Sequence, residues 1–146
     1  MTTRGGAVLY TPAILALAVE LADYPLTDDL ALRGEGHSRV CGSRVTLGVD
    51  TGAKGAITRV GARVTACAIG QAAAAVCLRE VEGRDATEIA RSLIEIETWL
   101  AGDNDMPAWP GIAVLEPARG YPARHAAILL PWKAALAALS NRVRPD

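Results

Sequence analysis

Two cysteines, Cys41 and Cys67, are the residues of this sequence best suited to bind a metal or to attack an electrophile. The deprotonated sulfur does both, because the thiolate is the ligand and the nucleophile. Apolar and polar residues alternate at positions 44–50 and again at 59–66, and a glycine-containing turn at 51–55 joins the two stretches. This pattern predicts a β-hairpin. Since the open ends of a hairpin are neighbours, we expect the two thiols to lie together although 26 residues separate them.

The predicted surroundings of both thiols favour their deprotonated forms. Cys67 precedes an alanine-rich segment that predicts a helix, and the free N–H groups at a helix N-terminus stabilise a thiolate. Arg39 and Arg44 flank Cys41, and their charges act in the same direction. The alternative is that both cysteines are small buried hydrophobic residues that happen to be neighbours. Two cysteines alone leave both interpretations open.

Composition limits the class of protein. The chain has 146 residues, of which 51% are hydrophobic and none is Phe, so one domain with a core of Ala, Leu, Val and Ile is expected. The net charge of −1 gives no electrostatic indication of nucleic-acid binding. An odd number of cysteines, three, argues against a disulfide framework and fits a reducing compartment. No apolar run is long and uncharged enough to span a bilayer.

The start of the sequence has a faint likeness to a secretion signal. Arg4 is followed by apolar residues at 7–10 and 14–19. Pro12 and Glu20 interrupt this run, and no clean small-x-small cleavage site follows. We therefore expect a cytoplasmic protein.

The other elements predict helices around a small sheet. Thr11 and Pro12 are typical of a helix start, and Asp85 with Glu88 has the form of a capping box. The first expected element is a helix at 12–21 with an apolar face at 14, 15, 18, 19 and 21. An irregular first strand within 31–40 and the hairpin would follow it. The remaining expected elements are helices at 67–81, 86–100 and 123–140 and a tail at 141–146. This segregated order predicts a single α+β domain spanning 1–146, with its core at about 9–140. About three antiparallel strands would carry helices on one face.

In the order of these elements and in three short motifs, the sequence resembles the iron–sulfur cluster assembly scaffold family of NifU N-terminal and IscU-like proteins. Residues 40–43, Val-Cys-Gly-Ser, look like the family's Cys-Gly-Asp motif. Residues 67–70, Cys-Ala-Ile-Gly, look like its second motif, a Gly-Cys-Gly-Ser-type helix start. Residues 124–129 look like the third motif, a His-Cys or Lys-Cys pair that opens the last long helix. The resemblance covers residues 9 to about 139.

This resemblance implies a function and a set of ligands. Family members assemble an iron–sulfur cluster from iron and from sulfur that a cysteine desulfurase delivers, and they pass the cluster to a downstream carrier or apo-protein. Related members hold zinc in the same place. The implied ligands in this chain are Cys41, Cys67 and His125, with Ser43 at the position of the family's Asp. The implied cofactor is an iron–sulfur cluster, [2Fe-2S], or zinc, and no enzymatic turnover is expected.

The sequence departs from the family at two positions. Ser43 replaces the Asp, and Ala126 or Ala127 replaces the third Cys. Two thiolates and one imidazole are an incomplete shell for zinc, which prefers four ligands. A second protomer of a homo-oligomer or an external thiol would complete a [2Fe-2S] cluster. The alternative functions are a zinc-bound or metal-free adaptor and a persulfide-carrying sulfur-transfer protein, and the alternative for His125 is a hydrogen bond near the first turn of the last helix.

Other residues near the predicted site have weaker chemical signals. His37 is a candidate further ligand, although a loop histidine is more often solvated. Cys77 lies about 15 Å along the predicted helix from the second thiol, so core packing is its expected role. Gly42 and Gly70 would leave room for a ligand near the backbone. Arg124 would make the mouth of the site electropositive, and the alternative is a solvated surface charge.

Overall fold

The structure is a computed structural model, which describes residues 10–141. The strands are β1 (Leu32–His37), β2 (Arg44–Thr51) and β3 (Ile57–Thr65), in one antiparallel sheet of order β1-β2-β3. The helices of the described part are α1 (Pro12–Glu20), α2 (Ala68–Glu80), α3 (Ala86–Leu100) and α4 (His125–Ser140), with short 3-10 helices at Leu21–Asp23, Ile112–Gly120 and Pro122–Arg124.

The predicted α+β class is confirmed. Three antiparallel strands carry helices on one face, and α4 packs directly on β1 and β2. None of the helices within residues 10–141 has the length and apolar character needed to cross a membrane. The leader-like residues at 4–9, the expected core limit at 9 and the tail at 142–146 lie outside the described residues.

The predicted hairpin is formed by β2 and β3. Arg44 stands opposite Thr65 at its open end, and a shift of register between Asp50 and Thr51 precedes the turn. Cys41 precedes the first of these strands by three residues and Cys67 follows the second by two. The hairpin therefore places both thiols at the same end of the sheet.

Two expectations about the elements at the start of the chain need correction. The first strand is regular over its whole length and pairs with β2 from Leu32 to His37. On α1, Leu15 and Val19 are 48% and 75% exposed, whereas Ile14 and Leu17 are buried. The apolar stripe is therefore narrower than the sequence suggests, because only one edge of this short helix faces α2.

The helix α4 lies so close to β1 that a side chain at Gly34 would have no space. A Cβ built there would overlap the backbone of Ala134 and Ala138. Across the sheet, Val45, Leu47 and Val49 are buried beneath the same helix layer. The helix begins at His125, two residues later than expected, and Pro131 lies inside it.

Candidate functional site

A tight loop between β1 and β2 presents Cys41 to solvent. The backbone N–H of Ser38 donates to the carbonyl of Ser43, and that of Gly42 donates to the carbonyl of Ser38, both at 2.9 Å. Gly42 has a φ of +71°, a conformation that glycine adopts without steric cost. The glycine is therefore required by the turn, and the closed loop holds the exposed thiol at its tip.

The second thiol is held by the start of α2. Cys67 is the N-cap residue of that helix and is half-buried. Gly70, one turn further on, does not leave room for a ligand as expected from the sequence. A Cβ at this position would lie 2.7 Å from the Cβ of Ala66 and 3.4 Å from that of Ala127. The glycine instead allows α2 to approach α4.

The two thiols line one surface pocket of about 250 Å³. Its walls are formed by the loop, the end of β3, the start of α2 and one arginine, namely Cys41, Gly42, Ser43, Thr65, Ala66, Cys67 and Arg124. The third cysteine, Cys77, is fully buried inside α2, as expected for core packing. The expected pairing of the first two thiols is thus present in the structure, and it is open to solvent.

Two buried hydroxyls surround the sulfur of Cys41. The Oγ atoms of Ser43 and Ser38 lie 3.0 Å and 3.5 Å from its Sγ, within hydrogen-bond distance. The Ser43 hydroxyl lowers the pKa of the Cys41 thiol most strongly, the Ser38 hydroxyl less, and the charge of Arg124 acts in the same direction. A hydroxyl that donates to the thiolate stabilises the charged form, which is the physical cause of the shift.

The electropositive charge at the pocket comes from one arginine. Arg124 is half-buried and lines the pocket beside both thiols. Arg44, expected to act on Cys41, instead forms an ion pair with Glu35 at 3.0 Å, and Arg39 is exposed outside the pocket lining. None of the ion pairs between residues 10 and 141 includes Arg124.

The structure does not bring His125 to the thiols. Its Nε2 lies 3.2 Å and 3.0 Å from the carbonyl oxygens of Ala118 and Arg119, in hydrogen-bonding position, and the residue lines a different pocket. The imidazole thus ties the start of α4 to the preceding 3-10 helix. His37 ends β1 and is exposed, also outside the thiol pocket.

The residues that line the thiol pocket supply only part of a set of metal ligands. Within the described part of the chain, no three His, Cys, Asp or Glu side chains are grouped to hold one metal ion. The expected three-ligand set of two cysteines and His125 is therefore not assembled. Ser43 lines the pocket, but its side chain is 3% exposed and its hydroxyl is directed at Cys41. Two thiolates supply half of the four that a [2Fe-2S] cluster takes.

The contribution of Ser38 was not expected from the sequence. Its hydroxyl approaches Cys41 only because the loop closes on itself between Ser38 and Ser43. The sequence feature that could have predicted this contact is a serine at each end of a short glycine-containing turn, since serine hydroxyls commonly form hydrogen bonds within turns.

Alkylation with iodoacetamide should distinguish Cys41 from Cys77. We expect Cys41 to react in the folded protein and Cys77 to be protected, because burial raises the pKa of the Cys77 thiol and excludes the reagent. The thiolate is the reactive form, so the lowered pKa of Cys41 moves its rate profile to lower pH. Ser43→Ala should move that profile back to higher pH, as measured by peptide mass spectrometry across a pH series.

The matched control for this series is Ser92→Ala, which removes another buried serine hydroxyl, on α3. It should leave the Cys41 profile unchanged. Identical profiles for Ser43→Ala and the unaltered protein would show that the hydroxyl does not stabilise the thiolate.

Several solved structures share this fold. A NifU-like protein (N-terminal) from Brucella abortus superposes with a TM-score of 0.81 and 28% identity, covering 93% of this chain and 95% of the other. A putative iron–sulfur cluster assembly scaffold protein for the SUF system from the thermophile Fervidobacterium islandicum AW-1 gives 0.77 and 25%, covering 90% and 96%. A hypothetical protein at 18% identity, with a TM-score of 0.65, shares the fold. No protein-family model and no curated protein sequence matches the chain.

Proposed function

Because this chain belongs to the NifU/IscU-like family, we propose that it is a scaffold for iron–sulfur cluster assembly, with Cys41 and Cys67 as its ligands. The observation that carries this proposal is the pairing of two thiols in one solvent-open pocket. Thiolates are the usual ligands of iron–sulfur clusters. An open pocket also permits a cluster to be loaded and released, which a scaffold requires.

The pocket supplies two thiolates, so two further ligands must come from elsewhere. We propose that two protomers share one [2Fe-2S] cluster, each contributing Cys41 and Cys67, which gives the four thiolates such a cluster takes. The exposure of Cys41 at the tip of its loop supports this arrangement, because the sulfur can reach a cluster at the protein surface. An external thiol is the other source of the missing ligands.

Anaerobic reconstitution with iron, sulfide and a thiol tests the proposal. We expect a visible thiolate-to-iron charge-transfer absorption, one iron per chain, and a doubling of the mass by light scattering when the cluster is bound. One cluster on a monomer would assign the remaining ligands to the external thiol. A colourless protein that retains no iron would overturn the scaffold function.

A second candidate function follows from the incomplete ligand set. With no third ligand grouped beside the thiols among residues 10–141, the chain would be a zinc-bound or metal-free adaptor that keeps the fold without assembling clusters. Elemental analysis of protein purified without added metal separates the two candidates. One zinc per chain and no iron uptake would favour the adaptor.

The proposed scaffold has no turnover chemistry of its own and acts with partners. It would receive sulfur from a cysteine desulfurase and pass the cluster to a downstream carrier or apo-protein. The odd number of cysteines, all free in the described structure, supports a place in the reducing cytoplasm. A persulfide on one of the pocket thiols after incubation with a desulfurase and cysteine would support the sulfur-accepting step.

Ala127→Cys should strengthen cluster binding. Ala127 lies buried in the first turn of α4, three residues after the pocket residue Arg124. Its methyl also lies beside Gly70, one turn from Cys67. A thiol added here supplies a third ligand from the same chain. We expect retention of iron against a chelator to rise by about tenfold, equivalent to about 1.4 kcal/mol.

The neighbouring variant Ala126→Cys is the matched control. It adds the same thiol one residue away, which turns the side chain by about 100° around the helix axis. Its retention of iron should stay at the level of the unaltered protein. Equal gains from both variants would mean that added thiols act nonspecifically.

A further inference from the structure

The charged side chain that lines the thiol pocket is positive. Among the described residues, its lining contains Arg124 and no Asp or Glu. The guanidinium has no carboxylate within 4.0 Å in that part of the chain. A half-buried arginine without a carboxylate partner is a binding group for an oxyanion, since its guanidinium can donate two parallel N–H bonds.

The nucleophile Cys41 lies next to this charge, and the folded loop already places hydroxyl groups around its sulfur. Cys41 is exposed, and its sulfur is approached by the hydroxyls of Ser38 and Ser43, which are 5% and 3% exposed. Both serines are thus held behind the sulfur and leave its outer side open. The pocket volume of about 250 Å³ gives a small tetrahedral anion room beside the thiol.

We infer that this pocket binds a small anionic sulfane-sulfur donor of the thiosulfonate class, of which thiosulfate is the simplest, and transfers its outer sulfur to Cys41. This inference deepens the proposed scaffold function and rests on it for the later use of the sulfur. The oxyanion end would bind Arg124, and the outer sulfur would face the thiol. Sulfur could then enter the scaffold without a protein donor.

The transfer is balanced without an added oxidant or reductant. The thiolate of Cys41 attacks the outer sulfur of thiosulfate and forms a new S–S bond. The S–S bond of thiosulfate breaks, and sulfite leaves with the bonding electron pair. The product is a persulfide on Cys41 with its terminal sulfur in the pocket, where Arg124 stabilises its negative charge as well as that of the departing sulfite.

Incubating the reduced, metal-free protein with thiosulfate tests the inference. We expect the intact mass to rise by one sulfur atom, peptide mapping to place that atom on Cys41, and an equal amount of sulfite to be released. Arg124→Gln should slow persulfide formation by about tenfold, because it removes a charge-assisted contact to the anion. The matched control Arg39→Gln changes an exposed arginine outside the pocket lining and should leave the rate unchanged.

A neutral donor separates anion binding from general thiol reactivity. A dialkyl trisulfide also reacts with a thiolate, by S–S exchange that leaves a mixed disulfide on Cys41 and releases an alkyl persulfide, but it carries no charge, so Arg124→Gln should slow the thiosulfate reaction and not the trisulfide reaction. No persulfide from thiosulfate, or equal slowing with both donors, would overturn the inference. Cluster reconstitution from inorganic sulfide needs no sulfur transfer, so it reports the scaffold function independently of this outcome.

Discussion

Cys41→Ala and Cys67→Ala are each expected to abolish the visible absorption of the reconstituted protein. The pocket of one chain holds only two thiols, so one substitution removes half of the ligands proposed for that chain. A [2Fe-2S] cluster takes four thiolates, and two protomers with one each cannot supply them. Iron content after gel filtration should fall by more than about tenfold, a loss above about 1.4 kcal/mol of binding free energy.

Two further variants serve as controls for that loss. Cys77→Ala removes the buried thiol of α2, and His125→Gln removes the imidazole that binds the carbonyls of Ala118 and Arg119. Both should keep the absorption and the iron content, and each should lower the free energy of unfolding by about 1 kcal/mol. Loss of iron in His125→Gln with the fold intact would return the imidazole to the ligand set.

The paired thiols could be predicted because their placement depends on local periodicity. Alternation of apolar residues identifies β2 and β3, and an antiparallel pair joined by a short turn must bring its outer ends together. The capping box of Asp85 and Glu88 was likewise readable, and both of its hydrogen bonds are present. Such features need only residues that are near in sequence or paired by a single turn.

The surroundings of the thiols could not be predicted in the same way. Arg124 lines the pocket from the 3-10 helix Pro122–Arg124, and only the family resemblance placed it there in advance, whereas Arg44 beside Cys41 turns to Glu35 on the neighbouring strand. The sequence indicates that His125 lies at the start of the last helix, but it does not indicate in which direction around the helix axis the imidazole points. Each residue turns a helix by about 100°, and this turn directs the imidazole to the backbone of the preceding 3-10 helix.

Gly34→Ala should be strongly destabilising, because the methyl would overlap the backbone of Ala134 and Ala138 in α4. Backbone cannot move aside as a flexible side chain can, so α4 would have to separate from β1 and expose part of the core. We expect the free energy of unfolding to fall by about 3 kcal/mol, measured by urea denaturation. Gly120→Ala is the matched control, since a Cβ there meets no atom of the described structure within 4 Å, and it should change stability by less than about 0.5 kcal/mol. Equal stability of the two variants would show that α4 does not depend on this close approach to the sheet.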